Sequence, residues 1–266
     1  MSTKPTANGR EIPWLDAWVR PVVRLHPSPG TATETDSHLG GPMLWPRDEP
    51  WPHCDGARHH GILDVTTEMV RGLHTPFAGC VQLYKRDFPE LPFPDGTDLL
   101  QVFLCPILHE DHWGPDVRLV WRKADQVTEP LTDRPVPALV DPTFAFQPCV
   151  FTPCRADEYP MVYEVPRDLV RELEIDPDSW PSLEDASKIG GWTRWYAGEP
   201  YEMECPECGT TRVQLLALAA DETECDECDQ PEGYHVVGWE FYGGSGGLNV
   251  LVCPKDVHHT LKLVVQ

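Results

Sequence analysis

Proline limits the structure of this chain more than any other residue, since it accounts for 29 of the 266 residues. It lacks the backbone N–H that an α-helix requires, and its ring clashes with the preceding helical turn. Twenty glycines interrupt the remaining stretches, and glycine and proline together are the strongest local breakers of regular structure. We therefore expect no long helices over most of the chain.

The segments between the breakers have the length and apolar pattern of strands. Short helical segments are predicted at 12–19 and 64–73, and Pro166 at a first turn begins the clearest helix, at 167–174. Strands are predicted at 21–25, 77–83, 99–105, 117–121, 213–218, 235–241, 248–252 and 261–265. These elements predict an α+β fold, mostly antiparallel β-sheet with few short helices.

Two short segments recur in the same order along the chain. Ser37–Gly41 (SHLGG) returns as Ser187–Gly191 (SKIGG), and Leu100–Pro106 (LQVFLCP) returns as Leu248–Pro254 (LNVLVCP). Each match alone is short enough for coincidence, but two in register favour an internal repeat. We predict one domain over 1–266, made of duplicated halves at about 20–110 and 160–260.

These segments also carry a family resemblance. The residues Ser37–Pro52, with a Gly-Gly pair and then a Trp/Pro-rich stretch, are similar to the YwqG-like family, a bacterial domain of unknown function. Further similarity is found at Phe77–Leu104, Lys188–Gly191 and Gly247–Val252, although His38 stands where the family has its first lysine. The resemblance covers most of 22–252. It implies a duplicated α+β fold and no established activity.

Two Cys-x-x-Cys pairs carry the clearest chemistry in the sequence, with sixteen residues between them. Such pairs are typical of zinc sites, and four thiolates would close the tetrahedron around the ion and leave no position for substrate. A disulfide, a redox dithiol and an iron–sulfur centre are the alternatives. The pattern predicts one structural zinc ion per chain, on a zinc-ribbon-like hairpin at 203–230, with these ligands: Cys205, Cys208, Cys225 and Cys228.

Nucleic acid is a common partner of zinc ribbons, but the charge of this hairpin opposes it. Between Glu204 and Asp229 there are eight acidic residues and one basic residue, Arg212. Phosphate contacts require lysine and arginine. We therefore expect no nucleic-acid binding.

Histidines near other cysteines form a weaker pattern, which could supply a second metal site. His53, His59 and His60 lie around Cys54, while His258 and His259 follow Cys253. None has the helical spacing of a known zinc motif. The simpler interpretation is that they are surface histidines in loops.

A ligand cleft is a further hypothesis, placed where the two Gly-Gly segments would face each other. Lys188 could bind an anion there, and neighbouring tryptophans could line a groove, although turns and core edges explain the same residues. The candidate cleft residues are His38, Gly40, Gly41, Trp45, Lys188, Gly190, Gly191 and Trp192.

The net charge of −22 repels phosphates and anionic lipids and speeds the encounter with a basic protein. Solubility is the simpler explanation of the same charge.

We find neither a membrane-spanning run nor a signal-peptide pattern, and expect a cytosolic protein with reduced cysteines. We predict a soluble, non-enzymatic module that binds a basic protein partner, of the kind seen in immunity-type proteins. The alternative is an enzyme with its site between the halves, using His38, Lys188 or a second metal.

Overall fold

The computed structural model describes residues 5–7, 10–61, 65–176, 180, 183, 185–195, 200–223, 225, 228 and 246–266. Its two α-helices are short, α1 (Thr67–Val70) and α2 (Arg167–Glu172). The strands are β1 (Thr6–Ala7), β2 (Arg10–Glu11), β3 (Arg20–Arg24), β4 (Pro27–Pro29), β5 (His38–Leu39), β6 (His53–Cys54), β7 (Thr75–Pro76), β8 (Ala78–Tyr84), β9 (Leu99–His109), β10 (Gly114–Arg122), β11 (Cys149–Phe151), β12 (Cys154–Glu158), β13 (Lys188–Gly190), β14 (Val213–Ala219), β15 (Gly247–Val252) and β16 (Lys262–Val265).

The predicted fold class is confirmed, since antiparallel strands dominate and the helices are short. The strand predicted at 235–241 lies outside the described residues. Among those that are described, no helix has both the length and the apolar character needed to cross a bilayer.

Two six-stranded sheets form the body of the protein. The first has the order β10-β9-β8-β5-β11-β4, and the second has the order β16-β15-β14-β13-β3-β12. In the first sheet β5, β8, β9 and β10 are neighbours in chain order, and in the second sheet β13, β14, β15 and β16 are. The other two strands of each sheet come from elsewhere in the chain. The two strand orders correspond, although the duplication of the halves itself stays a prediction.

An exchange of strands joins the two sheets. β3, near the start of the chain, pairs with β13 in the second sheet, whereas β11, from the middle of the chain, pairs with β5 in the first. The segments that carry β3–β4 and β11–β12 therefore each cross from one sheet to the other. Neither sheet is complete without a strand from the other half of the chain.

The main core lies between the sheets. It combines apolar side chains of the first sheet, such as Val102 and Leu104, with those of the second, such as Leu216 and Val250. β9 is buried at every residue, which is consistent with its mostly apolar sequence. Its pairing with β10 shifts register opposite Pro106, a residue that has no N–H for the ladder.

A layer of tryptophans covers the other face of the first sheet. The rings of Trp45 and Trp51 each lie 5.2 Å from that of Phe103. Their indole N–H groups donate to the carbonyl oxygens of Glu49 and Phe77. Trp45 and Trp192 of the hypothesised cleft are both buried, so they cover the core and offer a ligand no ring surface.

An ion pair lies inside the second sheet. Lys188 Nζ donates to both oxygens of Glu158, at 2.9 and 2.7 Å, and to the carbonyl oxygen of Trp192 at 2.8 Å. The Trp192 N–H donates to Glu158 as well. The two charged side chains are only 2% and 3% exposed. They fix the turn at Gly190 and Gly191 against β12.

We expect Lys188→Met to lower the free energy of unfolding by about 3–5 kcal/mol, because it leaves the Glu158 carboxylate buried without its counter-ion. Urea denaturation measures the change. Adding Glu158→Gln should recover part of the loss. Lys123→Met is the control, because Lys123 pairs with Asp125 on the surface and such pairs contribute little. Equal effects at positions 188 and 123 would contradict the prediction.

Candidate metal centres

The four cysteines predicted to share one zinc ion do not lie together. The structure places Cys205 and Cys208 in one cluster of possible ligands and Cys225 and Cys228 in another. The prediction of a single four-cysteine site is therefore wrong, because each pair finds its partners in distant parts of the chain. The count of one metal per chain is also too low for the number of clusters that could hold an ion.

In the part of the chain that the structure describes, three clusters of cysteine and histidine side chains bring four donor atoms each within 4.8 Å of one another. We name them by their members: site A is Cys54, His59, Cys105 and His109; site B is Cys205, Cys208, Cys253 and His259; site C is His26, Cys154, Cys225 and Cys228.

The spacing of the donor atoms is close to that of ligands around tetrahedral zinc. Bond lengths of about 2.3 Å to sulfur and about 2.0–2.1 Å to nitrogen place neighbouring ligand atoms about 3.3–3.8 Å apart. His59 Nε2 lies 3.1 Å from Cys105 Sγ, and Cys54 Sγ lies 3.6 Å from His109 Nε2. In site B the Cys205–His259 and Cys208–Cys253 contacts are both 3.4 Å.

Site A is buried and its backbone is fixed on several sides. Cys105 and His109 belong to β9, Cys54 belongs to β6, and His59 forms a backbone bridge with His109. Between Cys54 and His59 the chain turns at Gly56, which has φ +74, and a Cβ there would lie 2.6 Å from the Leu73 backbone. All four ligands are at most 6% exposed.

The second ring nitrogen of His59 supports a metal-binding role. Its Nδ1 lies 3.1 Å from the carbonyl oxygen of Val70. A hydrogen bond from Nδ1–H to that oxygen leaves the Nε2 lone pair facing Cys105, as in histidines that bind zinc. The pKa of the Cys54 thiol is lowered, chiefly by its hydrogen bond with Cys105. Site A therefore brings a ring nitrogen of His59 close to two thiols, one of which has a lowered pKa.

Site B is built on a tight turn. Glu204 pairs with Thr211, and the Gly209 N–H donates to the carbonyl oxygen of Cys205 at 2.8 Å, with Gly209 at φ +67. Hydrogen bonds from Thr210 lower the pKa of Cys208 to about 6. The turn thus presents the first thiol pair as sequence analysis predicted.

The remaining ligands of site B follow β15. Cys253 comes directly after the strand, and the chain then turns so that His259 reaches Cys205. Burial raises the pKa of Cys253, but backbone N–H groups of Asp256 and Lys255 outweigh it and lower the pKa overall. This cysteine and histidine were noted in the sequence, but not as partners of Cys205.

Site C draws its ligands from three segments. His26 lies in the turn between β3 and β4, Cys154 begins β12, and Cys225 and Cys228 follow β14. Burial, and then the nearby Arg24 charge, lower the pKa of His26. Burial raises the pKa of the neighbouring Glu222 to about 8.

Sites A and B occupy corresponding positions in the two sheets. Gln82 of β8 pairs with His38 and with Gln101, just as Ala217 of β14 pairs with Lys188 and Asn249. Four residues beyond Gln101 and Asn249 lie the ligands Cys105 and Cys253, each followed by a proline. The recurring segments of the sequence therefore end at equivalent metal ligands.

A groove of about 760 Å³ runs between the edge strands of the two sheets, β10 and β16, with sites A and B beside it. One wall is β10 and the other is the segment that leads into β16. Cys54 and His109 of site A line it, as does His259 of site B. Arg118 and Lys262 also line it, and their pairing with Phe103 and Leu251 puts them at corresponding positions.

The residues predicted for a cleft do not line this groove. His38 is buried in β5, with Nε2 2.9 Å from the carbonyl oxygen of Pro42 and Nδ1 accepting from the Gly41 N–H. Lys188 is buried in the other sheet beside Glu158. Gly40, Gly190 and Gly191 have positive φ and form the turns after these two side chains. His38 and Lys188 therefore each make their polar contacts within their own sheet.

The histidine clusters separate in the same way. His59 and His259 belong to different sites, and His53, His60 and His258 belong to none of the three. His53 stacks on His74, and His60 packs edge-on against Trp113. The two histidine-rich loops therefore contribute one histidine each, to separate clusters.

Comparison with known proteins assigns no family: no protein-family model and no curated protein matches the chain. The resemblance to the YwqG-like family stays a prediction.

We expect cysteines to cross-link within sites and not between them. After chelation, mild oxidation of the folded protein should join Cys208 to Cys253 and Cys154 to Cys225, because their sulfur atoms are 3.4 and 4.0 Å apart. Peptide mapping by mass spectrometry identifies the pairs, and the same oxidation in denaturant is the control. Links from Cys205 or Cys208 to Cys225 or Cys228 in the folded protein would contradict the grouping.

Proposed function

We propose that this chain is a non-enzymatic interaction module whose fold is held by structural zinc ions at sites A and B, and which binds a basic protein partner. The observation that carries the proposal is the closed donor set of each site. Four protein ligands fill a tetrahedral zinc ion and leave no position at which it could activate water.

The donor chemistry supports zinc. Thiolate and imidazole together suit zinc, and mixed cysteine and histidine sets of four are typical of structural zinc sites. Site A would supply two cysteines and two histidines, and site B would supply three cysteines and one histidine. Iron–sulfur clusters favour four cysteines, so the histidine in each set argues against that alternative.

The position of the other reactive groups supports a binding role. An enzyme in the hypothesised cleft would use Lys188 and His38, but both side chains are buried. Their polar atoms already have partners in the turns beside them. A catalytic group must instead reach a substrate.

We infer the charge of the partner from the net charge of the chain. With 43 acidic and 21 basic residues, the chain attracts a basic protein and repels nucleic acid. An inhibitory or immunity-type role against a basic protein is the form of this function that we propose.

The proposal includes an internal duplication. Its support is the correspondence of the two strand orders and of sites A and B, whose cysteines end equivalent strands. A metal-binding half-domain copied once would place one such site in each half.

We expect His59→Ala and His259→Ala each to remove one zinc ion per chain, because each deletes one ligand of a different site. Plasma mass spectrometry of protein purified without added metal measures the content. His60→Ala and His258→Ala are matched controls, one residue away and outside the clusters, and should keep the full content. Zinc contents unchanged by the ligand substitutions would refute zinc at these sites.

We expect the partner interaction to weaken with salt. Affinity capture from native cells at low ionic strength should recover a basic protein, and that protein, purified, should bind in fixed stoichiometry. Its dissociation constant should rise at least tenfold between about 50 and 300 mM salt, since the Debye length shrinks over this range. A partner with no net basic charge, or an affinity indifferent to salt, would contradict the proposal.

The groove favours one second candidate, an enzyme with its site between the sheets, since ligands of both metal sites line its walls. Its metal would need an open coordination position. We expect cobalt placed in sites A and B to keep its absorption spectrum when cyanide or azide is added, because four protein ligands surround it. A spectral shift that His59→Ala abolishes would replace the interaction module with the enzyme.

A further inference from the structure

We propose that site C is a third zinc site, with three cysteines and one histidine, which fastens the segment after β14 to the place where the exchanged strands cross between the sheets. Its ligands are His26, Cys154, Cys225 and Cys228. The inference is independent of zinc at sites A and B, because the three clusters have no residue in common.

His26 is the strongest indication of a ligand. Its side chain is 1% exposed, yet neither Nδ1 nor Nε2 has a hydrogen-bond partner among the described residues. Burying a polar group without a hydrogen-bond partner destabilises the folded state. A zinc ion bound to this imidazole would remove part of that destabilisation.

The backbone of His26 is also held in an unusual conformation. Its φ of 42° is in the left-handed region, which non-glycine residues occupy rarely and mostly at functional positions. The turn from β3 into β4 requires this geometry. It places the ring among the three thiols and not in solvent.

A positive charge lies beside two of the thiols. Cys154 pairs across the ladder with Arg24, and Arg24 Nη1 lies 3.1 Å from Cys225 Sγ. A guanidinium group beside thiols stabilises the thiolate form that binds metal. Cys225 Sγ is also 4.0 Å from Cys154 Sγ, close to the spacing of two thiolates on one zinc ion.

The chain leading to Cys225 is fixed before it reaches the site. The Thr223 N–H donates to the carbonyl oxygen of Asp185 at 2.8 Å, and the Ser187 N–H donates to Glu222 Oε1 at 2.8 Å. These bonds tie the segment to the start of β13. The first cysteine of the pair is thus positioned by hydrogen bonds outside the site.

The corresponding segment of the first half explains what the metal does. After β8, Phe88 and Leu91 enter the main core, and Phe88 packs edge-on against Phe151. The sequence after β14, ADETECDECDQ, has no large apolar side chain. The segment after β8 is held by hydrophobic burial. Zinc at site C would hold the segment after β14 in its place.

The test is metal content together with cadmium-113 NMR, because the shift of bound cadmium rises with the number of thiolate ligands. We expect three metal ions per chain and three cadmium signals. Two signals should correspond to sites with three thiolates, and one to the site with two thiolates. Cys154→Ser should reduce the content from three ions to two.

His26→Cys is the decisive variant, since it keeps four ligands and so tests the site even if Cys154→Ser fails to fold. It should retain three ions and move one cadmium signal alone to the region of four thiolates. Cys149→Ser is the control, because Cys149 lies outside the clusters and serine can keep its contact with the Gln147 carbonyl oxygen. A metal content that Cys154→Ser leaves unchanged, or cadmium signals that His26→Cys leaves unchanged, would overturn the proposal.

Discussion

Each sheet of this protein depends on a strand that the other half of the chain supplies. β3 lies between β12 and β13, and β11 lies between β4 and β5, so removing either would open a row of unpaired backbone groups inside a sheet. The two sheets also bury their apolar faces against each other in one core. Backbone pairing and hydrophobic burial therefore make the two halves a single cooperative structure.

Within that structure two candidate metal ligands, Cys105 and Cys253, occupy corresponding places in the two sheets. Cys105 occupies the irregular part of β9 near Pro106, and Cys253 follows β15 directly before Pro254. A proline or bulge next to a site redirects a side chain out of the regular alternation. In both sheets a cysteine followed by a proline thus points toward the loops, and those loops carry other members of the same cluster.

Much of the fold could be predicted from sequence because strands are local. The runs at 99–105 and 248–252 coincide with β9 and β15, and the segment after Pro166 is α2. The ligand sets could not be predicted in the same way. The Cys-x-x-Cys spacing indicates Cys205 and Cys208 as candidate ligands, but the other members of their cluster, Cys253 and His259, lie far along the chain and are brought close by the sheet topology. The repeated Cys-Pro at 105–106 and 253–254 and the histidines near Cys54 and Cys253 were the available signals, whereas nothing in the sequence around His26 indicates a ligand.

The distances along the chain between ligands set an order in which the clusters can be completed during synthesis. Site A has all its ligands once residue 109 has been made, whereas site C waits for residue 228 and site B for residue 259. His26, among the first residues to leave the ribosome, must wait for about two hundred more before its last thiol exists. Until then site A, on the first sheet, is the only one of the three candidate sets whose residues have all been synthesised.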